Sequence, residues 1–160
     1  MLTVGDVATD EIVSLLHRFG LRLDVVADDS PIPGSYWGEP EAGIIGTTVY
    51  ARGDTPIHSL LHETCHVICM TEERREDLRR DAGGDDLEES AVCYLQVVLA
   101  DCLRGVGCEQ LMRDMDSWGY SFRMGSTRRW FESDAEDARQ FLLKHGLILE
   151  PDTPAFILRT

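Results

Sequence analysis

Lysine is almost missing from this chain. A single Lys144 stands against 14 arginines, and the 160 residues carry a formal charge of −14. A field of that sign repels phosphate backbones, which disfavours nucleic acid as a partner and leaves a basic peptide or protein compatible. Long apolar runs are missing too. No stretch approaches the ~20 residues that span a bilayer, and no signal peptide is recognisable, so no membrane partner is expected. The cysteines lack a C-x-x-C pair and an even number. Cys65, Cys69, Cys93, Cys102 and Cys108 fall mostly in apolar helical surroundings, the pattern of buried free thiols in a reducing, cytoplasmic compartment. Repeats and low-complexity segments are absent. With 43% hydrophobic and 28% charged residues, a single domain over residues 1–160 with its own core is expected.

What is present is a motif. Residues 56–70 contain His62-Glu63-Thr64-Cys65-His66, an H-E-x-x-H pattern. Residues four apart on a helix share a face, so both imidazoles can reach one metal ion. Glu63 lies about 100° around the helix and can lean over a water on the metal without binding the metal itself. With this composition the pattern arises by chance about once in a hundred sequences. The bland alternative is a helix with two incidental histidines. Ile57, Leu60, Leu61, Val67 and Ile68 surround the motif, and unpaired imidazoles in so apolar a helix are costly unless a metal engages them.

A third ligand is needed. The spacing H-E-x-x-H-x-x-G-x-x-H fails, because Cys69 and Glu72 stand where Gly and His would be. A glutamate on a second helix is the other common solution, and Asp85 to Leu95 offers Glu88 and Glu89. If Asp86 caps that helix, Glu89 closes a capping box and Glu88 is free. Glu88 also shares a stripe with Ala91, Leu95, Val98 and Cys102. Glu88 is therefore favoured; a cap at Asp85 weakens the preference. Cys69, a turn beyond the histidines, reads as a core thiol, and His58 as a structural histidine near the helix start.

The remaining pattern places these residues. Helical spacing runs from Thr9 to Phe19, ending at Gly20, and alternation over 21–26 gives a strand. Residues 28–43 form a long loop with Tyr36 and Trp37, the kind that often edges a binding site. Ile44 to Tyr50 reads as one strand. Asp54 or Thr55 then caps the motif helix, with Pro56 in its first turn. Charges of both signs over 71–81 suggest a solvated segment, broken at Gly83-Gly84. The Glu88 helix extends to about Leu103, and a short amphipathic segment runs from Glu109 to Trp118. A last helix starts at Ser133 or near Thr127 and stops at Gly146, before a strand-like 155–158. The class is α+β, helix-rich, with a small sheet before the motif helix.

Together, the H-E-x-x-H motif and the downstream Glu88-Glu89-Ser90-Ala91, an E-x-x-A pattern, resemble the gluzincin zinc peptidases. The chain is comparable to the small soluble peptidase domains of the ImmA/IrrE type. The resemblance covers residues 56–70 and 85–103. It implies a minimal zincin-like fold, one Zn²⁺ per chain on His62, His66 and Glu88, and a peptide or protein substrate. Glu63 would be the general base on a zinc-bound water, hydrolysing a peptide bond. It also implies that the strand at 44–50 holds substrate by main-chain pairing. Tyr50, His58, Tyr120, His145 and the arginines are candidate oxyanion donors. Val92 departs from the family, where Asp or Asn often follows the alanine, so a partner that orients a ligand is either missing or supplied elsewhere. The alternative reading is a catalytically inactive zinc-binding, protein-interaction domain; a third is a helix pair that binds no metal. Cleavage specificity, substrate contacts and oligomeric state have no signature in the sequence.

Overall fold

The molecule is built outward from two buried helices. α2 (Ile57–Cys69) and α4 (Asp86–Ala100) pack against each other, and most side chains of both are enclosed, those of α4 from Ala91 onward. A helix that is apolar on all sides must lie at the centre of a fold. Leu60, Leu61, Ile68, Leu95 and Leu99 are fully buried, each contributing roughly 1.5–3 kcal/mol relative to exposure. The computed structural model describes all of residues 1–160. Its class is α+β, and no helix is long and apolar enough to cross a membrane.

α1 (Thr9–Arg18) leads into β1 (Arg22–Val25). The stretch expected to form one strand is a hairpin instead: β2 (Gly43–Ile45) turns at Gly46, whose φ is +60°, into β3 (Thr48–Ala51). The alternation of apolar residues could not reveal this, because two short strands joined by a tight turn keep much the same composition. β3 is the central strand, parallel to β1 and antiparallel to β2. The outer edge of β2 is occupied. Ile44 N donates to Gly34 O at 3.4 Å, and a Cβ on Gly43 would lie 2.0 Å from Pro33 O. The loop crosses here backbone to backbone, which only glycine permits. The expectation that residues 44–50 offer a free edge to a substrate is thereby overturned.

α2 begins at Pro56 in the N-cap position, not at Asp54 or Thr55; Thr55 instead accepts from Arg52 N and closes the preceding turn. The N-terminal segment supplies a partner for the first helical amide, Ile57 N donating to Leu2 O at 3.0 Å. At the other end, arginines satisfy the carbonyls that a helix leaves open. Arg75 donates to Val67 O and Met70 O, and Arg159 donates to Cys69 O and, through its amide, to Ile68 O. Cations there also complement the helix dipole. The segment expected to be solvated thus holds a short helix, α3 (Glu72–Glu76), with Arg75 buried beneath it. α5 (Gly107–Trp118), α6 (Thr127–Ser133) and α7 (Glu136–Lys144) cover α4. Where one last helix was expected from Ser133 or from near Thr127, there are two: α6 starts at Thr127 and ends at Ser133, and after a break at Asp134 α7 starts at Glu136 with Ala135, not Ser133, in the N-cap position. A small ribbon, β4 (Ile148–Leu149) with β5 (Thr153–Pro154), precedes the tail; residues 155–158 are not a strand.

Candidate metal centre

His62 and His66 extend from consecutive turns of α2, and their Nε2 atoms are 3.1 Å apart. Glu89 reaches them from α4. Its Oε1 lies 3.0 Å from His62 Nε2 and its Oε2 3.1 Å from His66 Nε2. One donor atom from each of the three falls within 4.8 Å of the other two. Tetrahedral coordination with bonds of about 2.0–2.1 Å needs donors about 3.3 Å apart, close to this spacing. Two imidazoles and a carboxylate are also a donor set suited to zinc.

One of the imidazoles is oriented for that role. His62 Nδ1 lies 2.7 Å from Oε1 of Gln96, whose amide donates in turn to His58 O at 3.2 Å. An amide oxygen can only accept, so Nδ1 carries a proton, and a neutral His62 would offer its Nε2 lone pair to a metal. Gln96, fully buried, supplies the orienting contact that Val92 does not. It lies seven residues after Glu89, on the same face of α4, and was detectable only as a polar residue in an otherwise apolar run. His66 Nδ1 is buried without a partner, so its bonding is through Nε2 alone.

Glu88 is not in the cluster. Asp85, rather than Asp86, caps α4, its side chain accepting from Glu88 N at 2.9 Å. Glu88 turns to the opposite side, where Arg74 grips both carboxylate oxygens at 2.8 and 2.9 Å and Arg159 adds a contact at 3.3 Å. The third donor beside the histidines is Glu89, so the placement favoured from sequence is corrected by one residue. Cys69 is fully buried and outside the cluster, and all five cysteines are free thiols.

The cluster opens into a two-armed cleft. Trp37, His62, Glu63 and Glu89 border both arms. One arm, about 280 Å³, adds Tyr36, Arg80 and Asp81; the other, about 410 Å³, adds Glu41, Ser59, Trp118 and Tyr120. The long loop therefore does edge the site, through Trp37 and Glu41. Glu63 is in the cleft wall beside the histidines. Burial pushes its carboxyl pKa up, and His62 and His66 partly offset that. For Glu89, burial works in the same direction, but hydrogen bonds from His62 and His66 outweigh it and hold the carboxyl well below its ordinary value.

No protein-family model, curated protein or solved structure matches this chain. Among the candidate oxyanion donors, Tyr120 lines the larger arm of the cleft and Arg80 the smaller. The Tyr120 hydroxyl is 3.2 Å from His58 Nδ1, and burial pushes its pKa to about 12, which keeps it protonated. His58 is enclosed behind it, its pKa lowered to about 4 by burial and then by His62. Tyr50 lies on the central strand and His145 packs on Phe141; neither borders the cleft.

Proposed function

We propose that this chain is a zinc-dependent peptidase with a zincin-like domain, the metal held by His62, His66 and Glu89. The observation that carries the reading is the convergence of those three side chains on one point with Glu63 beside them in an open cleft. A zinc ion bound there would act as a Lewis acid toward a scissile carbonyl and toward water. Glu63, raised in pKa yet flanked by two imidazoles, takes a proton from the attacking water and passes it to the departing amine. Tyr120 donates a hydrogen bond from its hydroxyl to the developing oxyanion.

The likeness to gluzincins supports the ligand types, two histidines from one helix and a glutamate from the next. It is off register by one residue, since the E-x-x-A pattern falls on Glu88. Five free thiols fit a reducing compartment such as the cytoplasm. The base Glu63 is what separates this reading from a zinc-binding domain that hydrolyses nothing. Metal analysis of purified protein, paired with cleavage of a mixed peptide library, tests both halves. Wild type should hold about one zinc per chain and cut peptides. Glu63→Gln should keep the zinc and lose at least about a thousandfold in turnover. Undiminished turnover in Glu63→Gln would remove the mechanism, and wild type that takes up no zinc would remove the peptidase.

A further inference from the structure

The two arms of the cleft differ in charge. The smaller arm carries Arg80 against Asp81. The larger one contains no arginine or lysine; its walls are three glutamates, three aromatic rings and only two other side chains, Ser59 and His62. Among the three glutamates, Glu63 and Glu89 have roles at the metal cluster. Glu41 has none. It is half-buried at the end of the long loop, and the indole Nε1 of Trp118 donates to its Oε1 at 3.0 Å. That bond fixes the carboxylate against a ring. Its Oε2 accepts no hydrogen bond from the protein. Burial raises the Glu41 pKa, with Trp118 and His62 opposing the rise.

We propose that this arm is a subsite for a cationic side chain of the substrate, arginine or lysine, taken up by Glu41 between Trp37 and Trp118. The word substrate rests on the peptidase reading; the cation site does not. A half-buried carboxylate with one oxygen unpaired gains most from a charged donor, because a neutral occupant would desolvate it without compensation. Indole faces attract guanidinium and ammonium groups, and Trp is the strongest of the aromatic side chains in this respect. A dication at the histidine cluster does not reverse the sign of the arm, since three carboxylates outweigh it. The chain's charge of −14 draws cationic peptides towards the molecule as a whole.

The test compares fluorescently labelled alanine octapeptides with one central arginine, citrulline or glutamate, each with a free and an acetylated N-terminus. Citrulline matches arginine in shape and lacks its charge. Binding is read by anisotropy and cleavage by mass spectrometry in the same samples of zinc-loaded protein. Arginine should bind about tenfold tighter than citrulline, and glutamate weaker than either. Glu41→Gln keeps an acceptor for Trp118 and so preserves the wall; in it the arginine advantage should fall below about threefold. Equal binding of arginine and citrulline, or an advantage untouched by Glu41→Gln, overturns the subsite. An advantage that follows the free N-terminus instead of the side chain reassigns the arm to an α-ammonium group and likewise overturns it. Charge preference without cleavage would leave the subsite standing and end the peptidase reading. Cleavage without preference would do the reverse.

Discussion

Glu88 and Glu89 are adjacent on α4, yet they belong to different regions of the molecule. The Glu88 side chain is 5% exposed and locked between Arg74 and Arg159, which tie α3 and the tail to the central helices. The Glu89 side chain is 49% exposed and meets two imidazoles at the edge of a cleft. The step of about 100° between consecutive helical residues is enough to send one inward to arginines and the other outward to histidines. Burial alone is therefore a poor marker of a metal ligand. A buried carboxylate must already be neutralised by the protein, whereas a partly open one facing neutral donors is available to an ion.

The sharpest way to break this comparison is to remove each glutamate in turn. Glu89→Ala should abolish zinc binding and peptide cleavage together, read by metal analysis and turnover. Glu88→Ala should do the opposite. It leaves Arg74 and Arg159 without their anion, costing about 3 kcal/mol and lowering Tm by roughly 6–12 °C, while folded protein keeps its zinc. Zinc lost from folded Glu88→Ala and kept by Glu89→Ala would exchange the two roles.

A smaller effect separates the regions by pH. His58 faces Tyr120, His62 and Asp114, and its pKa of about 4 lies below the ordinary 6.5. The unfolded chain therefore takes up this proton first as pH falls. Stability from this group is full above pH 6.5 and declines towards pH 4, by about 3 kcal/mol. Denaturant titrations across that range should show a shallower decline for His58→Gln, and an identical slope would mean that His58 is not the sensitive group. Least in magnitude is Gln96→Leu, which should weaken zinc binding about 10–100-fold with His62 still in place. Unchanged affinity in a competitive zinc titration would deny Gln96 its orienting part.

The motif helix was legible from its spacing, as were the free thiols, the α+β class and a loop at the edge of the site. The identity of the third donor was not. It turned on whether Asp85 or Asp86 caps α4, a difference of one residue with nothing local to decide it. The arginines that claim Glu88 lie 14 and 71 residues away in sequence, beyond any periodic pattern. The cleft walls come from five separated segments, carrying Trp37 and Glu41, the α2 face, Arg80 to Gly83, Glu89 on α4, and Trp118 with Tyr120. Only tertiary packing assembles them. The hairpin at Gly46 and the blocked edge of β2 were hidden for the same reason.

The crossing of Gly34 over β2 has a consequence for how this cleft could change. The loop that displays Trp37 and Glu41 is pinned by main-chain atoms at Gly34 and Ile44 and by the absence of a side chain on Gly43. That anchorage is independent of Tyr36 and Trp37, whereas Glu39, accepting from Ile32 N, and Glu41, accepting from Trp118, hold the rim by their side chains. Tyr36 and Trp37, both exposed, form a replaceable face on a fixed hinge, and new selectivity could be grafted there while the histidine helix behind it stays undisturbed.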